Sequence, residues 1–289
     1  MSTTIYYIRH KHDWNNYGIE KLIEDQRVGI HFSGNKSLSE TDYSSWTKGE
    51  RSAVGYLNDL NGSGSSQKIY LFICYTYSVN NKQKTRIILG EPIANSFKAF
   101  ESRPGIFIKT VAYKTIKEIT EQEFPYVYLL APRQSTFVQW HACRTIALNY
   151  ISSIERGETL KLDGNDPDEY LPSSLEILCE EYLREKGLLE KKLLKTGGSL
   201  KEFDIFGLDI ANNMVLGQVK NRHTSSEVKK FKDIVQKYSN AKGYFFSASP
   251  KPKTVPENIE WVNINEIIKF FNADPKYVTF IEKLVNLTW

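Results

Sequence analysis

Glu202-Phe203-Asp204-Ile205-Phe206-Gly207, followed by Gly217-Gln218-Val219-Lys220, is the stretch on which the reading of this chain turns. Both pieces read as short strands, and Ala211-Asn212-Asn213 between them is rich in turn formers. A hairpin folded about Asn212 and Asn213 brings Asp204 to within about a residue of Lys220 on the partner strand. Alternation along the second strand sets Gln218 and Lys220 on one face, and Val215, Gly217 and Val219 on the other. A carboxylate, an amide oxygen and an ammonium thereby converge. That is the equipment for holding a hard divalent cation beside a phosphate.

Magnesium prefers octahedral oxygen coordination from one or two carboxylates completed by water and substrate phosphate. Asp204 offers a carboxylate, Gln218 a side-chain carbonyl and Val219 a backbone carbonyl. Lys220 is suited to orient an attacking water or to stabilise charge growing on the phosphorus centre.

The elements around the hairpin support a mixed sheet flanked by helices. A helix is expected over Ser174–Lys186, with Leu175, Leu178, Cys179, Tyr182 and Leu183 on one face and Gly187 at its end. After the hairpin, Val228, Phe231, Ile234, Val235 and Tyr238 mark a helix over Ser226–Ser239. Strands at Gly243–Ala248 and Glu260–Ile264 and a helix at Asn265–Phe271 follow, giving an α-β-β-β-α order with additions. Lys229, Lys230, Lys232 and Lys237 on the second helix, with Arg222 and His223 before it, suit either phosphate contacts or a solvated helix face.

With 289 residues the chain exceeds the usual single-domain size, so two domains are expected. Residues 1–155 form the first, 156–172 a linker centred on Asp163-Gly164-Asn165-Asp166-Pro167-Asp168, and 173–289 the second. The first half is β-rich. Its strands are expected at Thr4–Arg9, Gly29–Phe32, Ile69–Ser78, Arg86–Gly90, Phe107–Ala112 and Tyr126–Leu130. Its helices are expected at Tyr17–Gln26, Glu50–Leu60 and Thr136–Ser152. The net charge is +4, and residues 1–160 hold the whole excess, 19 Lys and Arg against 15 Asp and Glu. A balanced second half can still bind a polyanion through a local basic face. Neither a signal-peptide pattern nor a run of eighteen apolar residues appears, and Cys74, Cys143 and Cys179 form no CxxC pair. The expectation is a cytoplasmic protein with buried thiols and no membrane partner.

The series Leu175-Glu176-Ile177-Leu178, then Phe203-Asp204-Ile205, then Gln218-Val219-Lys220 resembles the Mrr-like branch of the PD-(D/E)XK nuclease superfamily, over about residues 173–270. The resemblance implies a restriction-endonuclease-like αβββα core in an α/β fold, beside the β-rich α+β first domain. It implies a metal-binding Asp204, a second ligand position at Gln218, a catalytic Lys220 and a helix-borne Glu176 that contacts metal-bound water. Gln commonly replaces the middle acidic residue in that branch. The cofactor implied is Mg²⁺, with Mn²⁺ able to substitute, and the partner is DNA, double-stranded in preference. Phe203 stands where the superfamily name has Pro, and the neutral Gln218 makes one Mg²⁺ a safer expectation than two. Ser173-Ser174-Leu175-Glu176 also fits a capping box, which would make Glu176 a helix cap and leave Glu180 as the fallback acid.

A core of this type often carries an attached reader. Residues 1–150 hold 12 of the 17 Tyr together with Trp14, Trp46 and Trp140, and aromatic walls hold extruded bases or stacked single strands. Trp46-Thr47-Lys48-Gly49-Glu50, Tyr70–Tyr77 and Ile87-Ile88-Leu89-Gly90 loosely resemble the barrel of PUA- and EVE-like readers. Trp14 and Trp46 are the aromatic candidates for nucleic-acid contact, joined by Arg222, Lys229 and Lys230 from the second half. Ile8-Arg9-His10, His10-Lys11-His12-Asp13 and Gly197-Gly198-Ser199 lack the companion residues of a phosphatase, metal or phosphate-loop site, and His141 and Cys143, two apart on an expected helix, point to different faces. The expected function is a Mg²⁺-dependent DNA endonuclease of restriction or phage-defence type, paired as a homodimer where both strands are cut. The alternatives are a non-catalytic nucleic-acid-binding protein on a nuclease-like core, and an RNA-directed or repair nuclease.

Overall fold

The computed structural model describes residues 2–11, 16–30, 48–62, 67–104, 106–132, 137–193, 203–238 and 240–286. The chain forms two compact units, Met1–Tyr150 and Ile151–Trp289.

The first unit is built on strands β1 (Ser2–His10), β2 (Arg27–Ile30), β3 (Gln67–Val79), β4 (Lys82–Pro92), β5 (Lys98–Arg103), β6 (Ile106–Ile119) and β7 (Phe137–Gln139). They pair in the order β2-β6-β4-β3-β1-β7, with β5 also on β6. The β1–β3 pair is parallel and the other pairs are antiparallel, so the sheet is mixed. Helices α1 (Asn16–Glu24) and α2 (Lys48–Asn61) send Ile19, Leu22, Val54, Leu57 and Leu60 into one core with Ile8, Leu71, Ile73 and Val111. Asn80 and Asn81, both at positive φ, make the tight β3–β4 turn.

Two expectations in this unit need correcting. Tyr126–Leu130, read as a strand, is a short helix, α3 (Tyr126–Leu129), entered through Pro125 in the helical region. Its aromatic content suited a strand, but Phe124, Tyr126 and Trp140 cluster with Tyr150 instead of joining a ladder. The helix expected over Thr136–Ser152 is divided. Its first part is β7, held by antiparallel pairing of Phe137–Gln139 with Ile8–Tyr6. A 3-10 turn (His141–Cys143) then leads to α4 (Arg144–Arg156). Pairing across some 130 residues of sequence overrode local periodicity there. Strand β5 had no counterpart in the expectations.

The second unit has α5 (Pro172–Glu185), β8 (Lys191–Lys192), β9 (Ile205–Leu208), β10 (Met214–Lys220), α6 (Ser225–Val235), β11 (Lys242–Ser247), β12 (Ile259–Asn263), α7 (Ile264–Asn272) and α8 (Val278–Val285). The sheet order is β12-β11-β10-β9-β8, parallel across β10, β11 and β12 and antiparallel across β10, β9 and β8. Helix α6 lays Val228, Phe231 and Val235 on Leu216, Phe245 and Ile259. Thr224 and Glu227 close a capping box at its start, one residue earlier than expected. Neither β8 nor α8 was foreseen.

The stretch expected as a linker, 156–172, is built into this unit. Asn286 grips both backbone groups of Leu162, and Asn272 Nδ2 reaches the Gly164 carbonyl and Asn165. Tyr170 and Leu162 are buried. The polar, Pro- and Gly-containing composition signalled a turn correctly, but the turn is packed. No helix among the described residues is long and apolar enough to cross a membrane.

Candidate active site on the central hairpin

The β9–β10 hairpin turns on Asp209. Its Oδ1 accepts the Ala211 and Asn213 N–H groups at 2.9 and 2.8 Å, and Asn212 takes φ 62°. The register that results pairs Met214 with Leu208 and Gly217 with Ile205. One residue further out, the Asp204 N–H donates to the Gly217 carbonyl at 2.8 Å. Asp204 therefore stands opposite Gln218, two residues from Lys220.

Three groups converge on one oxygen. Asp204 Oδ2 accepts the Val219 N–H at 2.8 Å and the Gln218 side-chain amide, and Lys220 Nζ lies 3.8 Å away. The Asp204 and Lys220 side chains are 21% and 34% exposed, so the pair is reachable from solvent. Val215, Leu216, Gly217 and Val219 are buried, while Gln218 and Lys220 are half-buried at the open end of the strand. Leu216 shares the Gln218 face but is covered by α6.

Glu176 on α5 lies in electrostatic reach of Asp204 and Lys220. Its carboxyl is raised above the usual range, first by burial and then by the Asp204 carboxylate, with Lys220 and Lys192 pulling the other way. The capping-box alternative does not hold for this residue. Helix α5 begins at Pro172 behind Leu171, which makes no side-chain cap, so Glu176 lies in the second turn. Glu180, the fallback acid, is engaged instead with Arg184 at 3.1 Å and Lys192 at 2.7 Å.

Hard oxygen donors of the kind magnesium takes meet at this place. Asp204 Oδ1 takes no hydrogen bond among the described residues, so that oxygen is available to a cation. The N–H and C=O of a paired strand residue point the same way, which turns the Val219 carbonyl toward Asp204 as well. Gln218 presents its amide nitrogen to Asp204, so its oxygen becomes a ligand only after the amide turns over. Among the described residues no group of three or more His, Cys, Asp or Glu side chains surrounds a common point. A cage of several acids is thus absent there; the set is one carboxylate, one amide and one backbone carbonyl.

The other expected contacts are dispersed. Lys229 and Lys230 are exposed on α6. Arg222 pairs with Asp168 at 3.0 Å. Trp14 and Trp46 lie outside the described residues. Trp140 is a core residue, 2% exposed, with its indole N–H on the Leu130 carbonyl. His10 is buried against the Tyr75 ring, and burial lowers its pKa to about 3. Sequence reasoning missed Lys192 and Asp168. Lys192 comes to the site through long-range pairing of β8 with β9, and Asp168 was assigned to a linker.

No protein-family model matches the chain, and no curated protein matches it. Among solved structures it is similar to a repair endonuclease from Pyrococcus abyssi, at 12% identity and a TM-score of 0.25, covering 82% of this chain and 98% of that one. It is also similar to the structure of an EndoMS–dsDNA complex, at 12% identity and a TM-score of 0.25, covering 86% of this chain and 94% of that one. At TM-scores of 0.25 neither likeness fixes fold or activity.

Proposed function

We propose that the second unit is a Mg²⁺-dependent nuclease that hydrolyses phosphodiester bonds in DNA, double-stranded in preference. The observation that carries this reading is the convergence of Gln218, the Val219 N–H and Lys220 on the Asp204 carboxylate, with Glu176 in electrostatic reach. Asp204, the Val219 carbonyl and a turned Gln218 amide would hold the cation. Bound there, it supplies positive charge against phosphate oxygens and acidifies a water.

Lys220 balances the negative charge that grows on the phosphate oxygens as water adds. A phosphorus–oxygen bond forms to the water oxygen, the ester bond to the leaving oxygen breaks, and the water proton passes to solvent or to that oxygen. In this reading Glu176 accepts a hydrogen bond from the attacking water, and its raised pKa makes it the stronger base for that role. One site cuts one strand, so double-strand cleavage calls for two copies. The first unit supplies target choice in this reading, which is that of a restriction or phage-defence enzyme in the Mrr-like branch of the PD-(D/E)XK superfamily.

A second reading is favoured by one specific observation. The Gln218 amide donates into Asp204 Oδ2, a bond that needs no metal. A non-catalytic nucleic-acid-binding protein would keep it. Incubation of the full chain with labelled duplex DNA, single strands and RNA, with Mg²⁺ or with EDTA, separates the two. Metal-dependent products that vanish in Asp204→Ala and Lys220→Ala support the nuclease. Salt-sensitive binding without products in any condition supports the binder.

A further inference from the structure

Lys220, Ser247 and Asn263 end three neighbouring parallel strands, β10, β11 and β12. Open α/β sheets bind ligands beyond the carboxyl ends of such strands. A polar pocket of about 210 Å³ opens there, lined by Asp168, Asn221, Arg222, Ser249 and Asn265 among others.

Its donors come from the two residues that directly follow Lys220. Asn221 Nδ2 donates to Asp168 Oδ1, and Arg222 Nη2 donates to Asp168 Oδ2 at 3.0 Å. An amide and a guanidinium on two oxygens of one anion is the pattern by which proteins grip phosphate. Here the anion is the protein's own carboxylate. Asn221 is anchored independently of it: its carbonyl accepts the Ala248 N–H at 3.1 Å and the Ser247 hydroxyl at 3.3 Å. Asp168 is anchored separately, its N–H on Asp166 Oδ1 at 2.8 Å, which also engages the second carboxylate of the pocket. The Arg222 side chain is 80% exposed and Asp168 is 31% exposed. Ion pairs that open to water are weak and readily exchanged.

We infer that this pocket is a seat for a nucleic-acid phosphate next to the reaction centre, and that Asp168 fills it in the free protein as an internal anion that the phosphate displaces. Asp168 then acts as a specificity device: it weakens binding to backbones that do not bring a phosphate into register with Lys220. The inference rests on the nucleic-acid reading above, but not on cleavage.

The test is equilibrium binding of a short labelled DNA duplex in EDTA, with full-length wild type, Asp168→Asn, Arg222→Ala and the double variant. Asp168→Asn should tighten binding about three- to tenfold, and the gain should fall below about twofold when Arg222 is Ala. Arg222→Ala alone should weaken binding and lower the slope of log affinity against log salt by about one. No tightening in Asp168→Asn, or equal tightening in both backgrounds, overturns the seat. An unchanged salt slope in Arg222→Ala overturns it as well, should Asp168→Asn fail to fold. Cleavage assays on the same proteins keep the two ideas apart. Tightening without any cleavage sinks the nuclease reading alone, and cleavage without tightening sinks the seat alone. Failure of every variant to bind DNA sinks both.

Discussion

Lys220 Nζ stands 3.8 Å from Asp204 Oδ2, the same oxygen that accepts the Val219 N–H, while Asp204 Oδ1 takes no hydrogen bond among the described residues. The carboxylate is thus divided: one oxygen ties the hairpin, the other faces the place where a cation would bind. A ligand that binds only the folded state raises stability, by about 2.7 kcal/mol at a hundredfold excess over its Kd. Added Mg²⁺ should therefore raise the thermal midpoint of the wild type. Asp204→Asn keeps an acceptor for the Val219 N–H, so it should fold normally and lose that rise. Thermal scans across a Mg²⁺ series check this, and an equal rise in the variant removes Asp204 from the metal site.

Glu176 carries a cost that can be measured. Its folded-state pKa is raised, chiefly by burial and then by Asp204. A carboxyl raised on folding favours the folded state at low pH, and that advantage is lost as pH rises through the folded pKa. Glu176→Gln removes the buried charge and should raise the unfolding midpoint at neutral pH by a few degrees, with the difference vanishing in acid. The same variant should lower cleavage by about 10²-fold or more if Glu176 holds the attacking water. A variant that is stabilised yet cleaves at the wild-type rate would leave Glu176 outside the reaction.

The hairpin was legible because its information is local. Asn212 and Asn213 placed the turn, and alternation placed Gln218 and Lys220 on the open face. Amphipathic spacing located α5, α6 and α7 to within a few residues for the same reason. What escaped reading depends on partners distant in sequence. Strand β7 exists because Phe137–Gln139 pairs with the first strand, and β8 because Lys191 and Lys192 pair with Leu208 and Gly207. The contact of Asp168 with Asn221 and Arg222 spans more than fifty residues and leaves no periodic trace. Composition described the 163–168 turn but could not say that Asn272, Asn286 and Ile281 would close over it.

Glu169 gives that packed turn a pH signature. It is 6% exposed, and its Oε2 accepts the Gly164 N–H at 2.8 Å. Burial first, with the Asp163 and Asp166 carboxylates adding to it, pushes its pKa up to about 7. The sign follows the rule for a raised carboxyl. Its contribution to stability is full below about 4.5 and is lost as pH rises to about 7. Glu169→Gln keeps an acceptor for Gly164 and cannot ionise. Denaturant midpoints measured across that window should fall in the wild type more steeply than in the variant. Parallel curves would show that Glu169 does not titrate there.

Gly164 provides the sharpest check that this turn belongs to the core. It has φ +71°, and a Cβ added there would lie 2.5 Å from Ile281 Cγ2 and 2.9 Å from the Tyr170 hydroxyl. Gly157 has φ +69° but open space around its Cβ position. Both Gly→Ala changes incur the left-handed strain, about 1 kcal/mol. Only the change at 164 adds overpacking, typically about 1–3 kcal/mol. Gly164→Ala should therefore cost about 2–4 kcal/mol against about 1 kcal/mol for Gly157→Ala, read as urea midpoints at unchanged m-value. Equal costs at the two positions would mean that residues 163–168 yield freely, as a linker does, and that Ile281 and Tyr170 do not hold them.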